Sequence, residues 1–336
     1  MSDTRPSEAL PPTLFLSDAD VASLVDWFPA VSALAKAYAG QISDAMVPPR
    51  SMARGDGIWL RGLTAISPAG GHMGSKLIAA SPRIRRASYL ISLFDQHTMG
   101  LAALIDGNRV TGLRTAATAA LAIDRLAPRR PLRVGVIGSG FEARGALDCL
   151  AATRLLQGVL VFSPNPSSRE RFARSFAGSI DVCPVDTPAR AVSDADVVIC
   201  AARSRDESPV LQGAWLAAGA TVVSLGSTLP EQREVDEETM ARAVCVVADM
   251  PDEVAHDTGD GIAAMRAGLA LDAKLVSLAA VVSGEVTPRR SQADIVLYKS
   301  VGSALQDVVI AEMLFALAKV KGYGTPLPVS IVPVAK

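Results

Sequence analysis

The stretch that most limits what this chain can fold into is LRVGVIGSGFEARGA, residues 132–146. Leu132, Val134, Val136 and Ile137 make a short, β-branched apolar run that stops at a glycine, which reads as a buried strand. Gly138, Gly140 and Ala143 follow at the spacing G-x-G-x-x-A and lead into a helix. The first glycine makes the tight turn. The second lets backbone approach a pyrophosphate, and the small third residue lets helix pack on strand. The helix N-terminus then faces the phosphate charge. Alone the motif is weak evidence, but here it has the strand before it and the helix after it that the mechanism requires. The expectation is a bound dinucleotide at Gly138, Ser139, Gly140, Phe141, Glu142 and Ala143.

The length, 336 residues, suits two domains. The first 12 residues are polar and proline-rich, are expected to be loose, and lack the apolar core of a signal peptide. A short strand is expected at 14–16. Ser17 then caps a helix with acidic residues in its first turn, and a second helix covers 29–40. Strands follow at 57–63, 74–80, 88–95 and 100–106, with turn chemistry between them. An alanine-rich helix at 111–126 ends at Pro128 and Pro131.

Beyond it, strands are expected at 132–137, 159–163, 180–185, 196–201, 220–225, 244–248 and 276–278, with helices between the earlier ones. That alternation predicts a parallel, doubly wound sheet with right-handed crossovers. Residues 298–320 read as one more long helix. The fold class is therefore α/β. A Rossmann-type domain over 119–304 accompanies a β-rich α+β domain over 1–118, which the C-terminal helix and tail, 305–336, rejoin.

Lys plus Arg number 33 and Asp plus Glu 34, so no basic footprint for nucleic acid exists. No apolar run is long enough for a membrane span. The four cysteines (Cys149, Cys183, Cys200, Cys245) are far apart and read as reduced, mostly buried residues of a cytoplasmic protein. The histidines His72, His97 and His256 are scattered and give no metal-binding spacing. No nucleophile motif of the G-x-S-x-G kind is present.

The strand GVLVF ends at Phe162, where dinucleotides lacking a 2′-phosphate usually meet an acid. Here the residues are Ser163, Pro164, Asn165, Pro166, Ser167, Ser168 and Arg169. No carboxylate repels a phosphate and several groups can donate to one. NADPH is favoured over NADH, although Arg169 also reads as an ordinary exposed helical arginine.

Three cations precede the glycine turn. Arg50 follows Pro48–Pro49, Lys76 lies in an apolar strand, and Arg114 sits in the expected first turn of the alanine-rich helix. A strand lysine is as often snorkelling or paired as functional. The helix dipole disfavours an arginine in a first turn, so a substrate carboxylate or the pyrophosphate is expected to hold Arg114. A carboxylate held by Arg50 and Arg114, with Lys76 as proton donor, suits reduction of a C=N bond, which needs a hydride at carbon and a proton at nitrogen.

VPPR at 47–50, Lys76, TGLRTAA at 111–117, GSGFEA at 138–143, GST-x-P at 226–230 and YKSVGSALQD at 298–307 together resemble the ornithine cyclodeaminase/mu-crystallin family. The resemblance runs from about residue 14 to 320, with its pieces in order. It implies a homodimer whose β-rich domain handles substrate and dimerisation. It implies substrate contacts for Arg50, Lys76 and Arg114. It implies cofactor contacts for Thr115, the glycine turn, Ser163, Pro164, Asn165, Ala201, Ala202, Arg203, Leu225, Gly226 and Ser227, to which the residue reading above adds Ser168 and Arg169 for a 2′-phosphate and Arg114 for the pyrophosphate. Ser300 and Gly302 are placed near the nicotinamide, or else form a plain helix cap.

One departure bears on the reaction. Cyclodeaminases of this family carry an aspartate where this chain has Thr228, and a hydroxyl neither acts as a carboxylate base nor pairs with ammonium. Ketimine reductases of the family also lack that aspartate. Thr228 is thus expected to touch substrate, with Glu231 and Asp307 as remaining acids. The implied activity is an NADPH-dependent reductase of 2-imino carboxylates, such as pyrroline- or piperideine-2-carboxylate. The alternatives are a cyclodeaminase-type lyase with tightly held NAD, and a non-catalytic dinucleotide-binding protein.

Overall fold

The computed structural model describes residues 11–68, 71–204, 206–329 and 331–334. Most of the N-terminal stretch expected to be loose, residues 1–10, lies outside them. In chain order, β1 is Leu14–Leu16, α1 Asp18–Leu24 and α2 Trp27–Tyr38. The strands β2 Ser51–Gly55, β3 Ile58–Ile66, β4 His72–Ser81, β5 Arg86–Asp95 and β6 Leu101–Asp106 follow. Next come α3 Gly107–Leu126, β7 Leu132–Ile137, α4 Phe141–Thr153, β8 Leu156–Phe162 and α5 Pro166–Arg174. After these come β9 Val182–Pro184, α6 Pro188–Val192, β10 Val197–Cys200, β11 Thr221–Ser224, α7 Glu237–Arg242 and β12 Ala243–Ala248. The chain closes with α8 Pro251–His256, α9 Gly259–Arg266, β13 Leu275–Ser277, α10 Leu278–Ser283, β14 Ile295–Lys299, α11 Ala304–Lys321 and β15 Thr325–Pro326.

Two compact units result. The first takes residues up to Val25, Ser43–Thr111 and those from Asp307 on; the second takes Asp26–Ile42 and Gly112–Gln306. The boundaries differ from those read off the sequence. Residues 26–42 group with the second unit, where α2 packs on α4 and α10, the long α3 changes unit at 111/112 instead of 118/119, and the last changeover falls at 306/307 instead of 304/305.

The first unit is built on one sheet, ordered β15-β1-β6-β5-β4-β3-β2. Its long strands alternate. Leu63, Ile78, Ile91 and Ile105 point to the buried face, whereas Ile58, Leu60, Leu77 and Leu90 point outward. Ser17 caps α1 as expected, with a reciprocal bond to Asp20. Helix α3 starts four residues earlier than expected. Asp106, read as a turn residue, accepts a bond from Asn108 N at 3.0 Å and lets the helix begin at Gly107.

The second unit is an eight-stranded sheet in the order β13-β12-β14-β11-β10-β7-β8-β9. Every pairing in it is parallel. The central strands VVIC and TVVS are wholly buried, as a sheet covered on both faces requires. The helix expected over 298–320 is corrected here. Residues 295–299 are a fully buried strand between β12 and β11, and the helix begins only at Ala304. Ser300 and Gly302 therefore lie in a strand-to-helix loop, and neither caps a helix.

Three cysteines are buried, as expected of most of them, while Cys183 on the edge strand β9 is exposed. Burial pushes the Cys149 thiol up to about 12 and that of Cys245 up to about 11. Among the described residues no helix is long and apolar enough to cross a membrane.

Asp196, just before β10, is 6% exposed. It accepts Arg133 N at 2.9 Å and both terminal nitrogens of Arg130, at 3.0 and 2.6 Å. Burial raises its pKa, but the Arg133 N–H and the two guanidinium groups outweigh that and hold the carboxyl below 3.8. Its stabilisation is present above the unfolded pKa and is lost as pH falls through the folded one. Asp196→Asn should lower the unfolding free energy at pH 7 by about 1–3 kcal/mol. In denaturant titrations the difference from wild type should shrink progressively below a pH of about 4.

Candidate active site

In the first unit, β4 sets Lys76 among apolar neighbours on the buried face, with Leu63 and Ile91 beside it across the sheet. The residue is 2% exposed. Its Nζ lies 2.9 Å from Asp307 Oδ1 on α11 and 5.6 Å from the Tyr89 ring centroid. Asp307 is itself 1% exposed. The paired reading of this lysine therefore holds, and the partner is one of the two acids left open above. Arg50 lies just before β2, half-buried. His72 Nδ1 sits 2.9 Å from Glu312 Oε1, and its ring stands edge-on to Phe315.

The other candidates lie in the second unit. Gly138 ends β7 with φ +111°, and a Cβ there would fall 2.5 Å from Ala201 O, so only glycine makes this turn. Gly140 is the N-cap of α4 and, being glycine, brings no side chain to cap it. The space beside Gly140 is open. Ala143 is fully buried where helix meets strand. A helix N-terminus that opens on glycine beside open space fits a pyrophosphate. Phe141 is 65% exposed.

At the end of β8, Asn165 caps α5 by accepting Ser168 N at 3.2 Å. Ser168 Oγ accepts a bond from Arg171. Arg169 donates to Ser163 O at 3.1 Å and pairs with the exposed Asp186. The donors expected to surround a 2′-phosphate are thus partly engaged with one another.

The sequence argument for Arg114 needs correcting. It stands two turns into α3, where the N-terminal dipole no longer opposes it. Its Nη1 donates to Gln306 Oε1 at 3.0 Å. Gln306 in turn donates to Tyr38 Oη and Asp249 Oδ2. Asp249 also accepts Ser300 Oγ at 2.7 Å, Val301 N at 2.9 Å and Gly302 N at 2.8 Å. Thr115 is buried in the same helix.

The loops after β10 and β11 carry Ala201–Arg203 and Leu225–Thr228. A buried acid absent from the sequence reading ties them. Glu234 Oε1 accepts Ala202 N at 2.9 Å, and its Oε2 accepts Gly226 N at 2.8 Å and Ser224 Oγ at 2.5 Å. Burial raises the Glu234 pKa, against the opposing pull of Lys299 and these three donors. Lys299, fully buried, reaches Ser224 Oγ and Ser227 O at 2.9 Å and Asp260 Oδ2 at 3.0 Å. Thr228 N donates to Gln232 Oε1 at 3.0 Å, and Glu231 is exposed. Local pattern gave no signal for Glu234, Asp249 or Asp260, whose partners lie far off in the chain. Lys299 was visible only as part of YKSVG.

Residues 70–322 match the profile described as the ornithine cyclodeaminase/mu-crystallin family. The chain is similar to "Ketimine reductase mu-crystallin" of Rattus norvegicus, 31% identical over 67% of this chain and 68% of that protein. It is similar to "Iminosuccinate reductase" of Paracoccus denitrificans, 30% identical over 69% and 71%. The solved Delta(1)-pyrroline-2-carboxylate reductase of Thermococcus litoralis, in complex with NADH and L-proline, superposes with a TM-score of 0.86. It is 25% identical, over 94% of this chain and 100% of that one.

Removing one member of a buried ion pair costs far more than removing both. Asp307→Ala should destabilise by about 3 kcal/mol or more. In a double-mutant cycle with Lys76→Met, denaturant titrations should report a coupling of about 1–3 kcal/mol.

Proposed function

This chain belongs to the ornithine cyclodeaminase/mu-crystallin family, and on that premise we propose that it is an NAD(P)H-dependent oxidoreductase acting on C–N bonds. It reduces 2-imino carboxylates, cyclic ketimines among them, to amino acids. The observation that carries the reading is the buried ammonium of Lys76, fixed by Asp307, in a chain whose α4 also opens on glycine behind a G-x-G turn. Iminosuccinate and pyrroline-2-carboxylate, named in the relatives, both place a C=N bond beside a carboxylate.

In this reading Gly138–Ala143, Thr115, Ser300 and Gly302, among others, would hold a reduced dinucleotide, whose chemistry when bound would be hydride donation to the imine carbon. Arg50 and Arg114 grip the substrate carboxylate through charge-assisted bonds and orient the C=N bond. Lys76 gives a proton to the imine nitrogen, so carbon gains hydride, nitrogen gains a proton, and an amine results. Asp307 keeps the ammonium aimed. Thr228 offers the substrate a hydroxyl, which weighs against a lyase that must abstract a proton from an amino acid.

NADPH is proposed over NADH. No acid stands at Ser163, and an ion pair to so exposed a partner as Asp186, 82% exposed, yields readily to a phosphate dianion. A homodimer is proposed through the outward face of the first unit's sheet, where Ile58, Leu60, Leu77 and Leu90 are each 40% exposed or more. A cytoplasmic setting suits the free thiols.

A spectrophotometric screen of NADPH and NADH against cyclic imines, and against 2-oxo acids with amines, tests the reading. Stoichiometric loss of reduced-nucleotide absorbance is expected. Ammonia release from diamino acids with only catalytic NAD would replace it with the lyase. Lys76→Ala should cut turnover about 100-fold or more while dinucleotide affinity changes little, and equal loss of both would remove Lys76 from proton transfer. Arg169→Ala should weaken NADPH by about 10-fold or more and NADH by far less. An unchanged preference would discard the phosphate contact.

A further inference from the structure

The order β9-β8-β7-β10-β11-β14 reverses direction between β7 and β10. Such a sheet binds a dinucleotide across that switch point, one mononucleotide on each half. The β7 turn faces the pyrophosphate, and the end of β8 is where the adenosine ribose is read. The loops after β10 and β11 therefore belong to the nicotinamide half. Both are backbone loops without a helix dipole of their own at the turn, so something else must fix their N–H groups.

We infer that Glu234 is the positioning residue for the nicotinamide half of the dinucleotide, bracing the loops after β10 and β11 as one unit. This rests on the dinucleotide reading above. The carboxylate bridges Ala202 N and Gly226 N, one from each loop, at 2.9 and 2.8 Å. Gly226 permits this approach, because a Cβ there would fall 2.3 Å from Glu234 Oε1.

Glu234 is itself pinned at both backbone ends. Its N–H donates to Asp260 Oδ1 at 2.8 Å, and its carbonyl accepts Val210 N and Leu211 N at 2.9 and 3.1 Å. The buried charge is balanced through Ser224, whose hydroxyl donates to Glu234 and accepts from Lys299. Lys299 also holds Ser227 O, a third backbone point and the second on the loop after β11. The brace is wholly buried, so it acts on a ligand only by setting the loops.

Two substitutions separate bracing from charge balance. Glu234→Gln places an amide N–H₂ against at least one donor N–H. Glu234→Asp keeps the charge facing Lys299 but is one methylene too short to span both loops. The measurements are calorimetric affinities of the full chain for whichever of NADPH or NADH it binds more tightly, and for the matching adenosine fragment, adenosine 2′,5′-bisphosphate or AMP. Circular dichroism checks that each variant is folded.

Both variants should lose 10-fold or more in dinucleotide affinity and stay within twofold for the fragment. Full rescue by Asp would reduce Glu234 to a counter-charge and overturn the inference. So would equal losses for dinucleotide and fragment, or no loss at all. If Glu234→Gln fails to fold, the Asp variant alone decides between these outcomes. Failure of the unaltered protein to bind either dinucleotide would strike the underlying reading instead.

Discussion

Every strand of the second unit's sheet runs parallel, and the backbone donors left over at the carboxyl ends of those strands must be satisfied by something. A buried N–H without a partner costs more than a hydrogen bond gains. The chain meets that demand in two ways. Glu234 takes the donors beyond β10 and β11, and Asp249 takes those of Val301 and Gly302 beyond β14. Helix α4 instead opens on Gly140, which has no side chain to bring to its N–H groups. One rim of the sheet is closed by carboxylates, and one helix end opens on glycine with free space beside it.

The same accounting applies to cations. Lys76 and Lys299 are both almost fully buried, and each faces an aspartate at close to 3 Å. Ion pairs of this kind seldom stabilise a fold more than apolar residues of the same shape would. Their value lies in holding a charge at a defined place. For Lys299 that place is a backbone carbonyl and a serine of the β11 loop. For Lys76 it is the buried face of the first unit's sheet, between Leu63 and Ile91 and beneath the Tyr89 ring.

What the sequence revealed and what it hid follow from the range of the interactions concerned. The glycine turn is local, and its strand, its helix and the three small residues were all legible from adjacent positions. Most strands of both sheets were legible for the same reason. Residues 295–299 were not. An apolar run ending in lysine, followed by more apolar residues after Gly302, satisfies a helical period as well as a strand, and only the flanking partners β11 and β12 decide between them. The helix-dipole argument for Arg114, not the contact proposed for it, failed on one unrecognised cap at Asp106. Asp307 stands 231 positions from Lys76, and Glu234 stands 32 from Ala202. Pairs of that separation leave no spacing to read, so the acids that organise the site were the least visible part of it.

Of the four thiols, three are shut inside the second unit, and Cys183 alone meets solvent, on β9 at one edge of the sheet. A maleimide or iodoacetamide reagent thus has a single attachment point without any engineering. A fluorophore carried there would ride on the outermost strand of the Rossmann sheet, away from the acid-braced rim, as a reporter on nucleotide occupancy in the native chain.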